Sequence, residues 1–180
     1  MIIWLASYPK SGNTWIRLFL DNLLSSNDHF SINNHVIEQF PLKKHFLELK
    51  TNVNDLNELA MDCTAAQARL NLDDKVKIFK THNAFWKWQD GERFFTDEKN
   101  TLGVIYIVRD PRNIITSVLN YFHKESYKVA LNFMREDKVI GGGVKDSILP
   151  TIIASWTNHY NSWKKFKKNY LLVRYEDLLN

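Results

Sequence analysis

Apolar residues along this chain switch between short continuous runs and helical spacing. Ile2-Ile3-Trp4-Leu5-Ala6 is an unbroken apolar run closed by Ser7, Tyr8 and Pro9. A run of that length bounded by turn residues predicts a buried strand. Past the turn, Ile16, Phe19, Leu20, Leu23 and Leu24 recur on one face of a helix. Residues 27–53 are mixed and rich in Asn, His and Lys, and read as irregular with a short helix. Helical spacing returns over 54–70, where Leu56, Leu59, Ala60, Cys63, Gln67 and Leu70 lie near one face. Residues 75–81 read as a second strand, 83–100 as an aromatic-rich loop, and 102–108 as a third strand.

Asp110 as N-cap and Pro111 at the first helical position predict a helix running to about His123. The Gly141-Gly142-Gly143 run marks a loop, and Asp146 or Ser147 caps a long helix through Lys168. Residues 170–174 are a fourth strand, and Tyr175 begins a turn or helix. Strands alternating with helices predict one α/β domain over 1–180, three layers with a central parallel sheet flanked by helices. Ligands of such sheets sit beyond the carboxyl ends of the strands. Lys10, Lys80 with His82, Arg109 and Tyr175 each follow a predicted strand, so they converge on that edge.

Composition narrows the classes. With 180 residues, 44% apolar and 24% charged, the chain has the make-up of an ordinary globular domain with a core. A single cysteine, Cys63, excludes an internal disulfide framework and fits a reducing, cytoplasmic compartment. No run reaches bilayer length, and a first strand starting at Ile2 leaves no room for a signal peptide, so no membrane partner is expected. The net charge of +4 suits a small polyanion and is too weak to point to nucleic acid. The densest basic cluster, Lys164-Lys165-Phe166-Lys167-Lys168, reads as a helix C-terminus complementing its dipole. None of the six histidines has metal-ligand spacing, so no metal is expected.

Ser-Tyr-Pro-Lys-Ser-Gly-Asn-Thr-Trp at 7–15 is a small-residue loop with one lysine between a strand and a helix. Backbone N–H groups at a helix start lack partners and favour an anion. Its lysine precedes its glycine, which is not the Walker A order. Lys10 and the amides around Ser11, Gly12, Asn13 and Thr14 form a candidate phosphate cradle, with the Ser11 and Thr14 hydroxyls as extra donors. Trp15 either stacks on a base or packs beneath the loop. Lys80-Thr81-His82 places an imidazole on the ligand side, where it is either a general base or a structural residue. Arg109 suits a second phosphate through bidentate bonds, and Ser117 lies two turns further along the helix. The aromatics of 85–95 form either an acceptor pocket or a satellite core, while Trp156, His159 and Trp163 share a helix face in the manner of core packing.

Together these residues resemble the sulfotransferases that use 3′-phosphoadenosine 5′-phosphosulfate (PAPS), over almost the whole chain. Residues 8–15 are similar to the 5′-phosphosulfate loop usually written Tyr-Pro-Lys-Ser-Gly-Thr-Thr-Trp, with Asn13 at its first Thr. Lys80-Thr81-His82 matches the family's Lys-Thr-His segment, Arg109 with Ser117 its 3′-phosphate segment, and Trp156 to Trp163 its tryptophan-rich helix. Tyr175-Glu176-Asp177 matches the end of its last shared strand. The resemblance implies a P-loop-NTPase-like fold and sulfuryl transfer to a hydroxyl, or an amine, of a small-molecule or glycan acceptor. It implies that Lys10 holds the 5′-phosphate and steadies the leaving oxygen, with Ser11, Gly12, Asn13 and Thr14 around it. His82 is then the general base, with Lys80 supplying nearby positive charge. Arg109 and Ser117 clamp the 3′-phosphate, Trp15 and Tyr175 contact adenine, and adenosine 3′,5′-bisphosphate is the product.

The family continues past its Tyr-Glu-Asp segment into a basic Arg-Lys-Gly loop over the 3′-phosphate, whereas this sequence stops at Asn180. Either the sequence is a fragment, or it is a short member with cofactor binding expected to be weaker by the worth of a charge-assisted contact, about 1.5–3 kcal/mol, or a partner supplies the loop. Two other classes fit less of the sequence. One is a non-catalytic nucleotide-binding or interaction module built on the same scaffold. The other, a nucleotide kinase, lacks the Walker order and a clear Mg²⁺-binding carboxylate. The acceptor is expected to sit against loops 83–100 and 124–147. The sequence carries no signal for oligomeric state.

Overall fold

The computed structural model describes residues 1–24, 36–88, 91, 94–142 and 149–179. In chain order the elements are β1 (Ile2–Ser7), α1 (Asn13–Leu24), β2 (Glu38–Gln39), α2 (Leu56–Leu70), β3 (Lys77–Thr81) and β4 (Thr101–Val108). There follow α3 (Pro111–Tyr121), α4 (Tyr127–Arg135), β5 (Val139–Ile140), β6 (Thr151–Ile152), α5 (Trp156–Trp163) and β7 (Tyr170–Arg174). Short 3-10 helices lie at Lys43–Leu49 and Tyr175–Leu178.

The order β2-β3-β1-β4-β7 places the first strand at the centre, and every pairing in that sheet is parallel. A central strand covered on both faces reads as continuous apolar sequence. Accordingly Ile2, Trp4, Leu5 and Ala6 are all fully buried. Trp4 sits in the main core against Phe40, Phe79 and Phe95, and its indole N–H reaches Thr101 Oγ1 at 3.0 Å. On the opposite face of the sheet Leu5 and Ile107 pack with Ile16 of α1. A third cluster, Tyr8, Ile114, Val118, Ala130, Met134 and Ile153, lies where α3 and α4 pack together. In register, Ala6 faces Thr81, Ser7 faces Ile107, and Val108 faces Arg174. The four strands therefore end on one edge, with Lys10, His82, Arg109 and Tyr175 just past it.

The expected parallel α/β sheet is present, with a fifth strand, β2, inside the stretch read as irregular. Two residues are too short for a periodic signal. The Asp110 cap is as expected, its carboxylate accepting from Arg112 N at 2.8 Å with Pro111 opening the helix. The long helix expected through Lys168 is replaced by β6 and the shorter α5. Thr151-Ile152 pairs antiparallel with Val139-Ile140, and Ser155 caps α5 by accepting from Asn158 N. Pro150 and the β-branched run after it disfavour helix, and the left-handed Ala154 (φ 53°) breaks the chain before the cap. Asp146 and Ser147 lie outside the described residues. Helix α4 occupies ground read as loop; its cap Ser126 and the buried pair Ala130 and Met134 carry it. The lysines of 164–168 follow α5, and Phe166 among them is buried in the main core.

Candidate active site

The turn after β1 is built by backbone conformation. Lys10 (φ 69°) and Gly12 (φ 94°) both take the left-handed region, which lets α1 begin at Asn13 directly behind the loop. A Cβ on Gly12 would run into the ring of Tyr175, so only glycine fits there. Trp15 N and Ile16 N both reach Gly12 O, closing the first helical turn, whose own leading N–H groups have no acceptor within the helix.

A cavity of about 640 Å³ opens over this turn. Lys10, Gly12, Asn13, Thr14 and Trp15 line one side, and Arg109 and Ser117 line it from β4 and α3. Lys80, His82 and Gln39 come from the ends of β3 and β2, with Tyr121, Phe122, Ile140 and Thr151 completing the wall. Nine of the eleven candidate residues thus meet in one cavity. Ser11 and Tyr175 do not line it. Ser11 is buried with its hydroxyl unpartnered among the described residues. Tyr175 lies with its ring against Gly12 and 4.5 Å from the Arg109 guanidinium.

Arg109 donates from Nη1 to Lys10 O at 3.2 Å, tying the end of β4 to the loop, while its buried Nε has no partner among the described residues. The unpartnered donor of Arg109, beside Lys10 and the helix-start amides that line the cavity, makes the donor set an anion requires. Lys10 Nζ rests 4.1 Å from the Tyr121 ring centre. Lys80 donates to Gln39 Oε1 at 3.2 Å, and burial, helped by the charges of Arg17 and Lys10, pushes its ammonium down to about 8.

His82 is held through its ring. Its Nδ1 is 2.8 Å from Ser7 O and 3.3 Å from Ser7 Oγ. A carbonyl only accepts, so Nδ1 carries the proton and Nε2 keeps its lone pair. Burial, then the Lys80 charge, pushes the imidazole down to about 3, so it is neutral near pH 7. Asn13 turns its side chain inward, donating to Leu5 O and to Ser7 Oγ, both at 3.1 Å. At that position only the backbone N–H remains for the cavity.

The aromatics of 85–95, read as either an acceptor pocket or a satellite core, stand away from this cavity, and Phe85, Trp86 and Trp88 line a separate one of about 540 Å³. Phe95 is fully buried, and Phe85 and Trp86 pack against the main core, so no described residue of 83–100 lines this cavity. Ile140 and Gly141, from the second expected loop, do. Sequence reasoning missed Gln39, Tyr121 and Thr151. Gln39 and Thr151 belong to two-residue strands and Tyr121 ends α3, where no local pattern marks them. Among the described residues no group of three or more His, Cys, Asp or Glu side chains is placed to hold a metal, and no helix is long and apolar enough to cross a membrane.

A family model described as a sulfotransferase domain matches residues 2–180. The chain is 24% identical over 187 residues to Sulfotransferase 1B1 of Canis lupus familiaris, covering 98% of this chain and 53% of that protein. It is 24% identical over 189 residues to Cytosolic sulfotransferase 7 of Arabidopsis thaliana, covering 98% of this chain and 51% of that protein. The chain spans about half the length of the curated relatives it matches.

Proposed function

The chain belongs to the sulfotransferase domain family, and from that premise we propose that it transfers a sulfuryl group from PAPS to a hydroxyl or amine of a small acceptor. The observation that carries this reading is the meeting of the glycine–lysine loop, Arg109, Ser117 and the neutral His82 in one cavity. PAPS, when bound, supplies the activated sulfuryl group and a nucleotide leaving group. Lys10 and the amides of Gly12, Asn13 and Thr14 hold the 5′ end. The orphaned donor of Arg109 fits an anionic oxygen, and Ser117 stands with Arg109 at the 3′ phosphate.

Charge spreads over equatorial oxygens in an in-line transfer of this kind, and fixed cations and amides stabilise it without reorganising. Lys10 supplies that charge on one side and Lys80, still mostly protonated near pH 7, on the other. His82, protonated on Nδ1 by its bond to Ser7 O, takes the acceptor proton at Nε2. The apolar wall of Phe122 and Ile140 receives an apolar or ring-bearing acceptor.

The test is a screen of phenols, sterols, sugars and peptides with labelled PAPS, run beside calorimetric binding of adenosine 3′,5′-bisphosphate. Transfer that disappears in Lys10→Ala and His82→Ala supports the reading. Tight bisphosphate binding with no transfer to any acceptor instead supports a nucleotide-binding module. Magnesium-dependent ATP turnover would revive a kinase.

A further inference from the structure

Helix α5 grips the chain where it leaves β3. His159 and Trp163 stand one helical turn apart and address consecutive carbonyls. His159 Nε2 is 3.2 Å from His82 O, and Trp163 donates from Nε1 to Asn83 O at 2.9 Å. Both rings are fully buried. A carbonyl only accepts, so His159 carries its proton on Nε2, and the Tyr106 hydroxyl donates to Nδ1 at 2.8 Å. The ring of Tyr8 closes edge-on against the imidazole with centroids 5.7 Å apart. Both ring nitrogens of His159 are thereby spent on Tyr106 and His82, and the residue does not line the cavity.

The His82 ring reaches Ser7 O only while its own backbone stays in place, and that backbone has left the ladder of β3. We propose that His159 is a positioning residue for His82: its N–H holds the His82 carbonyl, and through it keeps the His82 ring on Ser7 as the Nδ1–H form. The inference rests on the reading of His82 as the base. The hydroxyl of Tyr106 acts one step further back, selecting the His159 tautomer that can donate.

The test uses the full chain labelled with ¹⁵N-histidine. In the wild type His82 is expected as the Nδ1–H tautomer. His159→Phe keeps a ring of similar shape, removes the donor, and is expected to move His82 toward a mixture of tautomers. His159→Gln, whose amide N–H can still reach the carbonyl, is expected to restore the wild-type signals. Tyr106→Phe leaves the His159 ring in place and is expected to shift His82 the same way by less, which covers the case in which the His159→Phe variant does not fold. His82 signals unchanged in the folded variants, or equal in the Gln and Phe variants, overturn the proposal.

Turnover of PAPS with 1-naphthol adds a second readout. His159→Phe is expected to lower kcat about tenfold with KM for PAPS steady, and to cost nothing further in a His82→Ala background. An equal loss in both backgrounds marks a merely structural role and also overturns it. A wild type that transfers nothing, or a His82→Ala chain at full rate, counts against the proposed function, while the tautomer measurement still decides the role of His159.

Discussion

The two sides of the cavity are assembled by opposite means. The loop side is local: Lys10, Gly12, Asn13 and Thr14 are near neighbours in sequence, and two left-handed residues and a helix start aim them. The His82 side is gathered from afar. Its ring is held by Ser7, 75 positions away, and its carbonyl by His159, 77 positions away. The cradle is shaped mainly by its own backbone, with distant ties to Arg109 and Tyr175, so it depends less on the rest of the chain. A histidine set by distant partners depends on the whole sheet and on α5. Binding and proton transfer are therefore expected to fail separately.

Substituting His82 breaks that comparison most sharply. His82→Ala is expected to lower turnover on the order of 10²–10⁴-fold, the usual worth of a positioned base. Affinity for adenosine 3′,5′-bisphosphate, read by calorimetry, is expected to stay within about twofold. Parallel losses in both would erase the distinction between the two sides. Lys10→Met is the converse test. It is expected to weaken bisphosphate binding about ten- to a hundredfold, the cost of one charge-assisted contact, and to lower turnover as well. Retention of full affinity would place the anion elsewhere.

Gly12→Ala probes the loop as a piece of backbone. The left-handed φ of 94° and the Tyr175 ring in the path of the new Cβ both oppose it, so the denaturation midpoint is expected to fall by the equivalent of about 2 kcal/mol. Adding Tyr175→Ala is expected to recover the steric part and leave the backbone part. A Gly12→Ala chain as stable as wild type would show the turn to be less constrained than its φ implies.

The smallest effects are set by pH. Burial pushes His45 to about 4 and both His82 and His159 to about 3, against an ordinary value of 6.5. Between those values the unfolded chain binds protons that the folded one does not. Stability is therefore full above pH 6.5 and falls as pH drops toward 3. Each histidine contributes at most about 1.4 kcal/mol per pH unit, and His159→Gln should flatten the slope of the urea midpoint by one such share. Lys80 runs the other way on the ligand: with its ammonium near 8, bisphosphate affinity is expected to decline above that pH, and to lose this limb in Lys80→Met. An unaltered alkaline limb in that variant would assign it to another group.

Much of this was legible in the residues themselves. The Ile2 to Ala6 run predicted a buried strand because a central parallel strand is apolar on both faces, and it is the middle strand of the sheet. The helix cap at Asp110-Pro111 and the placement of polar residues past strand ends were equally local. What sequence could not carry were elements too short for a period, β2 and β6, and side-chain directions. Asn13 looked like one more phosphate ligand, yet its amide finds better acceptors inward at Leu5 and Ser7. His159 looked like core packing, and it is buried, but what it bonds depends on α5 lying across the end of β3.

The sequence by itself determined the parallel α/β plan, the strand edge on which a ligand sits, and the loop that suits an anion. Hydrophobic period, turn residues and helix starts act within a few residues, so their signals survive in one dimension. Only the tertiary structure decided that His82 keeps its proton on Nδ1, that Tyr175 closes on Gly12, and that Phe85, Trp86 and Phe95 join the core and not this cavity. A hydrogen bond between residues some seventy-five positions apart leaves no spacing to read. It exists because β1 and β3 are neighbours in the sheet, and that pairing is a property of the whole chain.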